Sequence, residues 1–355
     1  MKSFLLFLFT ILLCSGCSTG VFVGNRTPNK SIPIPPLSLL WSYSMDGPAI
    51  GQALGIEGIV YQATTSGSLY AFDNKTGKRV GKKKFREKIS APPALFKAWF
   101  SIPVREKDFG MLIWNRETQT QDWNGLESGC LTPIFFDELL LTGIENGKVI
   151  AFDLVSNEEL WSSDLESMLR VRPGYFANAL YVGESNGNLS HFSIETGKSE
   201  WKIRLNSAVR SVPLGDKIGL FVATANANVY LIDIDSGDVK WKCSIGGLPT
   251  EKLLLENDIL IVGTSDRKLY GIEVDNGNIR WKHEFEGIVK GSPISRSGIV
   301  YVPSSDGNIY AFEVESGELL WKFRLDGPAI QPLALLDGTL LVATEKKTLY
   351  AFGKL

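Results

Sequence analysis

Cysteine and histidine are scarce in this chain, with four Cys and two His among 355 residues. After residue 17 only Cys130 and Cys243 remain, with no CxxC, no adjacent cysteine pair and no metal-ligand spacing. That excludes a zinc ribbon, a dithiol redox site and a disulfide scaffold. His191 and His283 fall in separate β-rich runs, so neither a His-centred triad nor a His metal site is available. Charge of one sign is lacking too: 37 basic residues face 39 acidic ones, for a net charge of −2, and no basic stripe develops. Nothing in that balance calls for nucleic acid. Long apolar runs are also absent, apart from Phe4 to Leu13. Ten residues make a signal-peptide core but are too short to span a bilayer.

What is present is a repeat. Tryptophan stands at Trp161, Trp201, Trp241, Trp281 and Trp321, a step of 40 residues, and Trp41 and Trp123 extend the column toward the N-terminus. Nine residues before each place in the column sits a large apolar residue: Phe72, Trp114, Phe152, Phe192, Ile232, Ile272, Phe312 and Phe352. These define eight copies, even where the Trp is missing at Gly81. In the clearest copy, Gly298 to Val302 reads as a strand, Asp306-Gly307 as a hairpin turn, and Asn308 to Val314 as a strand buried on both faces. Ser316-Gly317 turns the chain again, and Leu319 to Leu325 alternates apolar residues with Lys322 and Arg324, a strand with one wet face. Pro133, Pro173, Pro213 and Pro293 open the first strand of their copies, a place proline tolerates. The copy from Lys82 to Trp123 is the least regular, with Pro92-Pro93 and no Gly at its final turn, and reads as a modified blade with a specific contact or, the preferred reading, as simple drift.

Four-stranded units of this period either stack as a solenoid or close as a propeller, and the chain ends decide. The eighth copy stops at Phe352 to Leu355 without a fourth strand, while Leu39 to Met45 supplies a Trp strand ahead of the first copy. An N-terminal strand completing the last sheet closes the ring and removes its open edges. The expectation is an all-β, eight-bladed β-propeller of four-stranded antiparallel blades over residues 38–355, monomeric, with the tryptophans as glue between blades. A chain of this size buries about 75% of its unfolded surface. Cys130 and Cys243 lie two repeats apart and are expected unpaired, Cys243 in the core.

Residues 1–16 read as a signal peptide, with Ser15-Gly16 leading into Cys17. This resembles a bacterial lipoprotein box, with Cys14 in the place usually held by Leu. The resemblance implies cleavage before Cys17 and lipid on its thiol; the alternative is ordinary secretion with Cys17 buried or paired. Ser18 after the cysteine resembles lipoproteins sent on to the outer membrane. Removing the signal takes away Lys2 alone and moves the charge from −2 to −3. Residues 17–37, with the run Pro33 to Pro36, read as an extended tether.

The stretch Gly307 to Trp321 is similar to the tryptophan-docking repeat of quinoprotein dehydrogenases and their non-enzymatic relatives, and the pattern covers at least six of the eight copies. It is not the WD repeat, because Lys or Ser follows the Trp and no Gly-His pair appears. A lipid-anchored chain that is almost entirely one ring resembles the propeller lipoproteins of the outer-membrane β-barrel assembly machine. That resemblance implies a non-catalytic scaffold with no cofactor, on the periplasmic face of the outer membrane. Its implied partners are the periplasmic domains of the barrel-assembly subunit and, by edge pairing, unfolded barrel proteins. The family's Leu-Arg contact, in the connection between blades three and four, maps onto Leu169 and Arg170. On the residues alone these read equally as a loop side chain packing on a neighbouring blade beside a solvated Arg. The connection is shorter here, and the family's aspartate pair has no counterpart in Ala208 to Val212 before Pro213. The dehydrogenase branch implies a longer chain, a vicinal disulfide, a calcium held by Glu, Asn and Asp, and a catalytic Asp above the quinone. Neither adjacent cysteines nor spare length for such a site is present. A third class, a sensor binding a small ligand in its central channel, remains compatible with the ring, because fold does not fix function.

Overall fold

The computed structural model describes residues 35–104, 110–123, 129–136, 138–156 and 158–354, so the signal peptide, Cys17 and the tether up to residue 34 lie outside the described residues. The described residues form eight four-stranded antiparallel sheets. Seven are built from consecutive strands, beginning with Leu54–Ile56, Ile59–Ala63, Ser68–Asp73 and Arg79–Lys84 as blade 1. Blade 8 takes Ala334–Leu336, Thr339–Ala343 and Thr348–Gly353 from the C-terminal end and Ser38–Ser44 as its outer strand. The closing pair is antiparallel, with Ser38 opposite Gly353, Trp41 opposite Ala351 and Ser44 opposite Thr348. This is the ring-closing strand expected from the chain ends.

Burial follows position within the blade. The middle strands are covered on both faces, as in Ile299–Pro303 and Asn308–Glu313, where only Glu313 is exposed. The outer strand Leu319–Arg324 keeps only Trp321 and Phe323 half-buried between exposed neighbours. The buried apolar residues fall into eight clusters, each drawn from two consecutive blades. One joins blades 1 and 2 through Tyr61, Leu69, Phe100 and Trp114; another joins blades 8 and 1 through Trp41, Phe72, Leu341 and Ala351. Each blade therefore completes its core only against its neighbours, and the ring as a whole is the cooperative unit.

The tryptophan column is the joint. Indole Nε1 of Trp41, Trp161, Trp201, Trp241 and Trp281 donates to the carbonyl oxygen 33 residues later, on Asn74, Ile194, Ile234, Val274 and Val314, at 2.7–3.0 Å. Each acceptor lies in the turn between the third and fourth strands of the next blade. Three residues further on is Gly77, Gly197, Gly237, Gly277 or Gly317, all at φ between +66° and +79°. A Cβ built on these glycines would meet the docked indole at 2.5–3.2 Å. Glycine is needed twice over, for the left-handed turn and for the space the ring occupies. An unpaired residue just before each of these tryptophans, such as Lys240 before Trp241, makes a β-bulge that sharpens the local twist.

Blade 2 departs from this plan. Gly81 stands where blade 1 would carry its Trp, and the corresponding turn of blade 2 has Gln119 at φ +59° in place of Gly. Arg116 bridges the gap, with Nη2 2.7 Å from Glu57 Oε2 and Nη1 3.4 Å from the Tyr61 hydroxyl. Its outer strand, Gln121–Trp123, has no bulge, so Trp123 pairs with Leu112 while Asp122 takes the place opposite Ile113. Trp321 differs for another reason. Blade 8 borrows its outer strand from Ser38–Ser44 and offers no third-to-fourth hairpin turn to dock on, and Trp321 packs on Phe323 and Phe352 at 6.0 and 5.6 Å.

Trp241→Ala should destabilise the fold by about 3–5 kcal/mol, the usual range for truncating a large buried aromatic. Trp241→Phe should lose about 1 kcal/mol through the hydrogen bond to Val274. Gly277→Ala should also be clearly destabilising although it adds one methyl, by about 1–3 kcal/mol from backbone strain before the clash with the indole is counted. Urea melts measure all three, and an unchanged Gly277→Ala midpoint would refute the docking geometry.

Candidate functional site

Every blade hands over to the next across the same face. The connection leaves the outer strand, bridges to the turn between the second and third strands of the next blade, and enters that blade's inner strand. Isolated bridges mark the crossing: Ala49 with Thr64, Ile89 with Val104, Leu169 with Glu184, Val209 with Thr224, Pro249 with Thr264. Leu169 therefore occupies a regular place in the repeat. Its equivalents Ala49, Ile89, Val209, Val289 and Ala329 are each no more than 4% exposed, and Leu169 itself is 1% exposed. It sits over Gly143, where an added Cβ would lie 2.6 Å from Leu169 Cδ1. The structure thus places Leu169 in the core between blades 3 and 4, because its position in the connection is the one that plugs each seam. Arg170 beside it is exposed. Met168, one residue earlier, is 47% exposed, and the same place in later connections carries Leu248 at 43% and Ile288 at 42%. The apolar surface at this face is this series.

The connection between blades 3 and 4 also covers a buried carboxylate. Glu184 is 1% exposed and stands where blades 1, 5, 6 and 8 have Thr64, Thr224, Thr264 and Thr344. Lys202 Nζ lies 2.7 Å from Glu166 Oε1 and 4.0 Å from Glu184 Oε1. The Glu166 carboxyl is held below its ordinary pKa by Lys202 and by the Asn188 side chain. Met168 O accepts from the Ser185 N–H at 2.9 Å, which ties the exposed apolar residue to this polar group.

The second concave feature lies on the ring axis. Gln52, Pro92, Thr132, Arg172, Lys252 and Pro332 stand at a 40-residue step and line one cavity of about 50 Å³, fed by five different connections and the entry to blade 1. Only the axis brings side chains of blades 1, 2, 3, 4, 6 and 8 together. Lys252 reaches across it, its Nζ donating to Gln52 Oε1 at 2.9 Å. Arg172 Nη1 donates to the carbonyl of the adjacent Pro173 at 3.4 Å. Burial pulls the Lys252 ammonium down to about 8, reinforced by the Arg172 charge and opposed by Glu251. Burial likewise lowers Arg172, again against Glu251. The walls between these groups are apolar, with Pro93, Ala94 and Leu95 among them.

The remaining polar candidates are packing residues. His191 stacks on Tyr181 at 5.0 Å and His283 packs on Phe285 and Phe312, and burial lowers the pKa of both. Cys130 and Cys243 are both buried and are not disulfide-bonded to each other. No group of three His, Cys, Asp or Glu side chains fit to hold a metal occurs among the described residues, and none of their helices is long and apolar enough to cross a membrane.

A family profile described as outer membrane protein assembly factor BamB matches residues 145–296 and 281–355, together more than half of the chain. The chain belongs to the BamB family. Among solved structures, BamB from Moraxella catarrhalis superposes with a TM-score of 0.76 at 13% identity, over 89% of this chain and 99% of that one. The computationally designed Ika8 protein gives 0.76 at 16% identity, over 87% and 98%. The quinohemoprotein alcohol dehydrogenase ADHIIG from Pseudomonas putida HK5 gives 0.71 at 12%, over 89% and 76%. At these identities the likenesses establish the propeller alone. No curated sequence matches the chain. The BamB family thus supplies the ring, and the chemistry of this member has to be read from its own connections and bore.

The sign of the Lys252 effect follows from its lowered pKa. Between about pH 8 and the unfolded value of about 10.4 the unfolded chain binds the extra proton, so stability rises with pH across that window. Below it the full cost of a charged ammonium in the bore is present. Lys252→Met should therefore be more stable than the parent at pH 7 in chloride buffer, with the gap narrowing by pH 10. Urea melts at the two pH values test this, and a gap independent of pH would show that Lys252 titrates normally.

Proposed function

We propose that this chain is a non-catalytic scaffold of outer-membrane β-barrel assembly, lipid-anchored through Cys17 at the periplasmic face. The observation that carries this reading is membership of the BamB family together with a face built to dock. Met168, Leu248 and Ile288 project from one set of connections with Arg170 among them. Apolar residues beside arginine on an otherwise polar surface are the usual anchors of a protein interface. Scaffold rather than dehydrogenase is supported by the sequence, which has no adjacent cysteine pair. The outer strands suit a second role in unfolded-barrel binding: Val239, Ile279 and Leu319 are exposed along unpaired edges, a surface on which extended segments add as strands.

The partner contact of the blade 3–4 connection is assigned to Met168 and Arg170, with Leu169 holding the connection in place. In calorimetry of the full chain against the periplasmic domains of the barrel-assembly subunit, Met168→Ala with Arg170→Glu should weaken binding by about tenfold or more while leaving the melt unchanged. Leu169→Ala should instead destabilise the fold by about 2–5 kcal/mol, as for other buried leucines. Absence of binding by the parent chain would end the assembly role.

The anchor has its own test. Cys17→Ser should abolish lipid labelling and move the chain from the membrane fraction to the soluble periplasm. Retention of the variant in washed membranes, without labelling and without a co-purifying partner, would reject lipidation as the anchor.

A further inference from the structure

Two cations share the bore, and the carboxylate that acts on both is Glu251 at its rim. Arg172 enters from blade 4 and Lys252 from blade 6, while Glu251, the carboxylate at the lining, is exposed. A guanidinium offers five N–H donors and an ammonium three. Arg172 uses one of its donors, on the Pro173 carbonyl at 3.4 Å, and Lys252 one, on Gln52. Blades 4 and 6 thus direct two basic side chains with spare donors to the axial end of their connections. Proline and leucine walls oppose them, so the local dielectric is low and the like charges are weakly screened.

Such an arrangement is unfavourable in isolation, since charged groups removed from water require a counter-charge and satisfied donors. It becomes favourable with an anion between them. We propose that the axial bore is a binding site for a small oxyanion, a phosphate or carboxylate group, gripped by the planar donors of Arg172 and the point charge of Lys252. The geometry defines the class of ligand. About 50 Å³ suits a group of a few heavy atoms. Arginine supplies parallel N–H donors matched to two oxygens of one anion. Gln52, already bonded to Lys252, and Thr132, on the connection next to that of Arg172, supply neutral polar atoms at the lining. The site is independent of the docking face in its residues, so it stands or falls apart from the assembly role.

The test is thermal unfolding of the detergent-purified full chain in chloride at fixed ionic strength, titrated separately with inorganic phosphate and with acetate. A ligand that binds only the folded state raises the midpoint in a saturable way. Phosphate should do so if the site takes a phosphate group, and acetate at lower concentration if it takes a carboxylate. Arg172→Gln and Lys252→Gln should each weaken the apparent affinity by about tenfold or more, the loss of a charge-assisted hydrogen bond, and the double variant should not respond. Lys322→Gln, on an outer strand, should respond as the parent does. The bore variants should fold at least as well as the parent in chloride alone, because each removes one of two like charges that repel across the cavity. Broadening of the phosphate ³¹P resonance by the parent and not by the double variant reads occupancy without unfolding. A parent chain that shows no saturable response to either anion, or a double variant that responds as the parent does, overturns the proposal.

Discussion

The indole that reaches from one blade into the turn of the next is the contact on which the rest of the ring depends. It does three jobs in one place: it hydrogen-bonds an otherwise unpaired carbonyl, fills the space over a glycine, and covers the edge of the following blade's core. Its requirements propagate outward. The turn must be left-handed, the residue before the Trp must bulge, and the outer strand must keep one half-buried face. Those demands set the repeat length, and the repeat length aligns the connections on one face and the bore residues on one axis.

The joint between blades 1 and 2 shows the rule by its breach. Trp and Gly are lost there together, at Gly81 and Gln119, as expected if the glycine is required chiefly by the ring it faces. Once the indole is gone, a side chain at the turn clashes with nothing. Arg116, paired with Glu57 and Tyr61, and Lys83, 5.9 Å over the Trp114 ring, supply a polar substitute. An ion pair to the largely exposed Glu57 is worth little beside a buried indole.

Much of this was legible beforehand because a repeated unit reports each constraint several times over. The eight blades, the closing strand near Trp41 and the buried thiol of Cys243 all follow from period and parity. For Leu169 the sequence held a partner contact and a packing role equally, and the column through Ala49, Val209 and Ala329 favours the buried plug. Arg172 and Lys252 drew no attention because each lies alone in its own repeat, 80 residues from the other, and only the closed ring brings them to one cavity. Trp123 keeps the spacing of its column but not the register, since a missing bulge is invisible in composition.

The uneven distribution of docked indoles makes the ring mechanically lopsided. From blade 3 to blade 7 the joints at Trp161, Trp201, Trp241 and Trp281 follow one another without interruption. At the blade 1–2 joint the indole is absent, and at the blade 7–8 joint it has no hairpin turn to seat on. The arc of blades 3 to 7 is thus the continuously braced part of the ring, and Trp41 separately braces blade 8 to blade 1. This arc carries Met168, Leu248 and Ile288 as well as both bore cations. The proline walls of blades 2 and 8 therefore border those two joints without a seated indole, whereas Arg172 and Lys252 sit within the continuously braced arc.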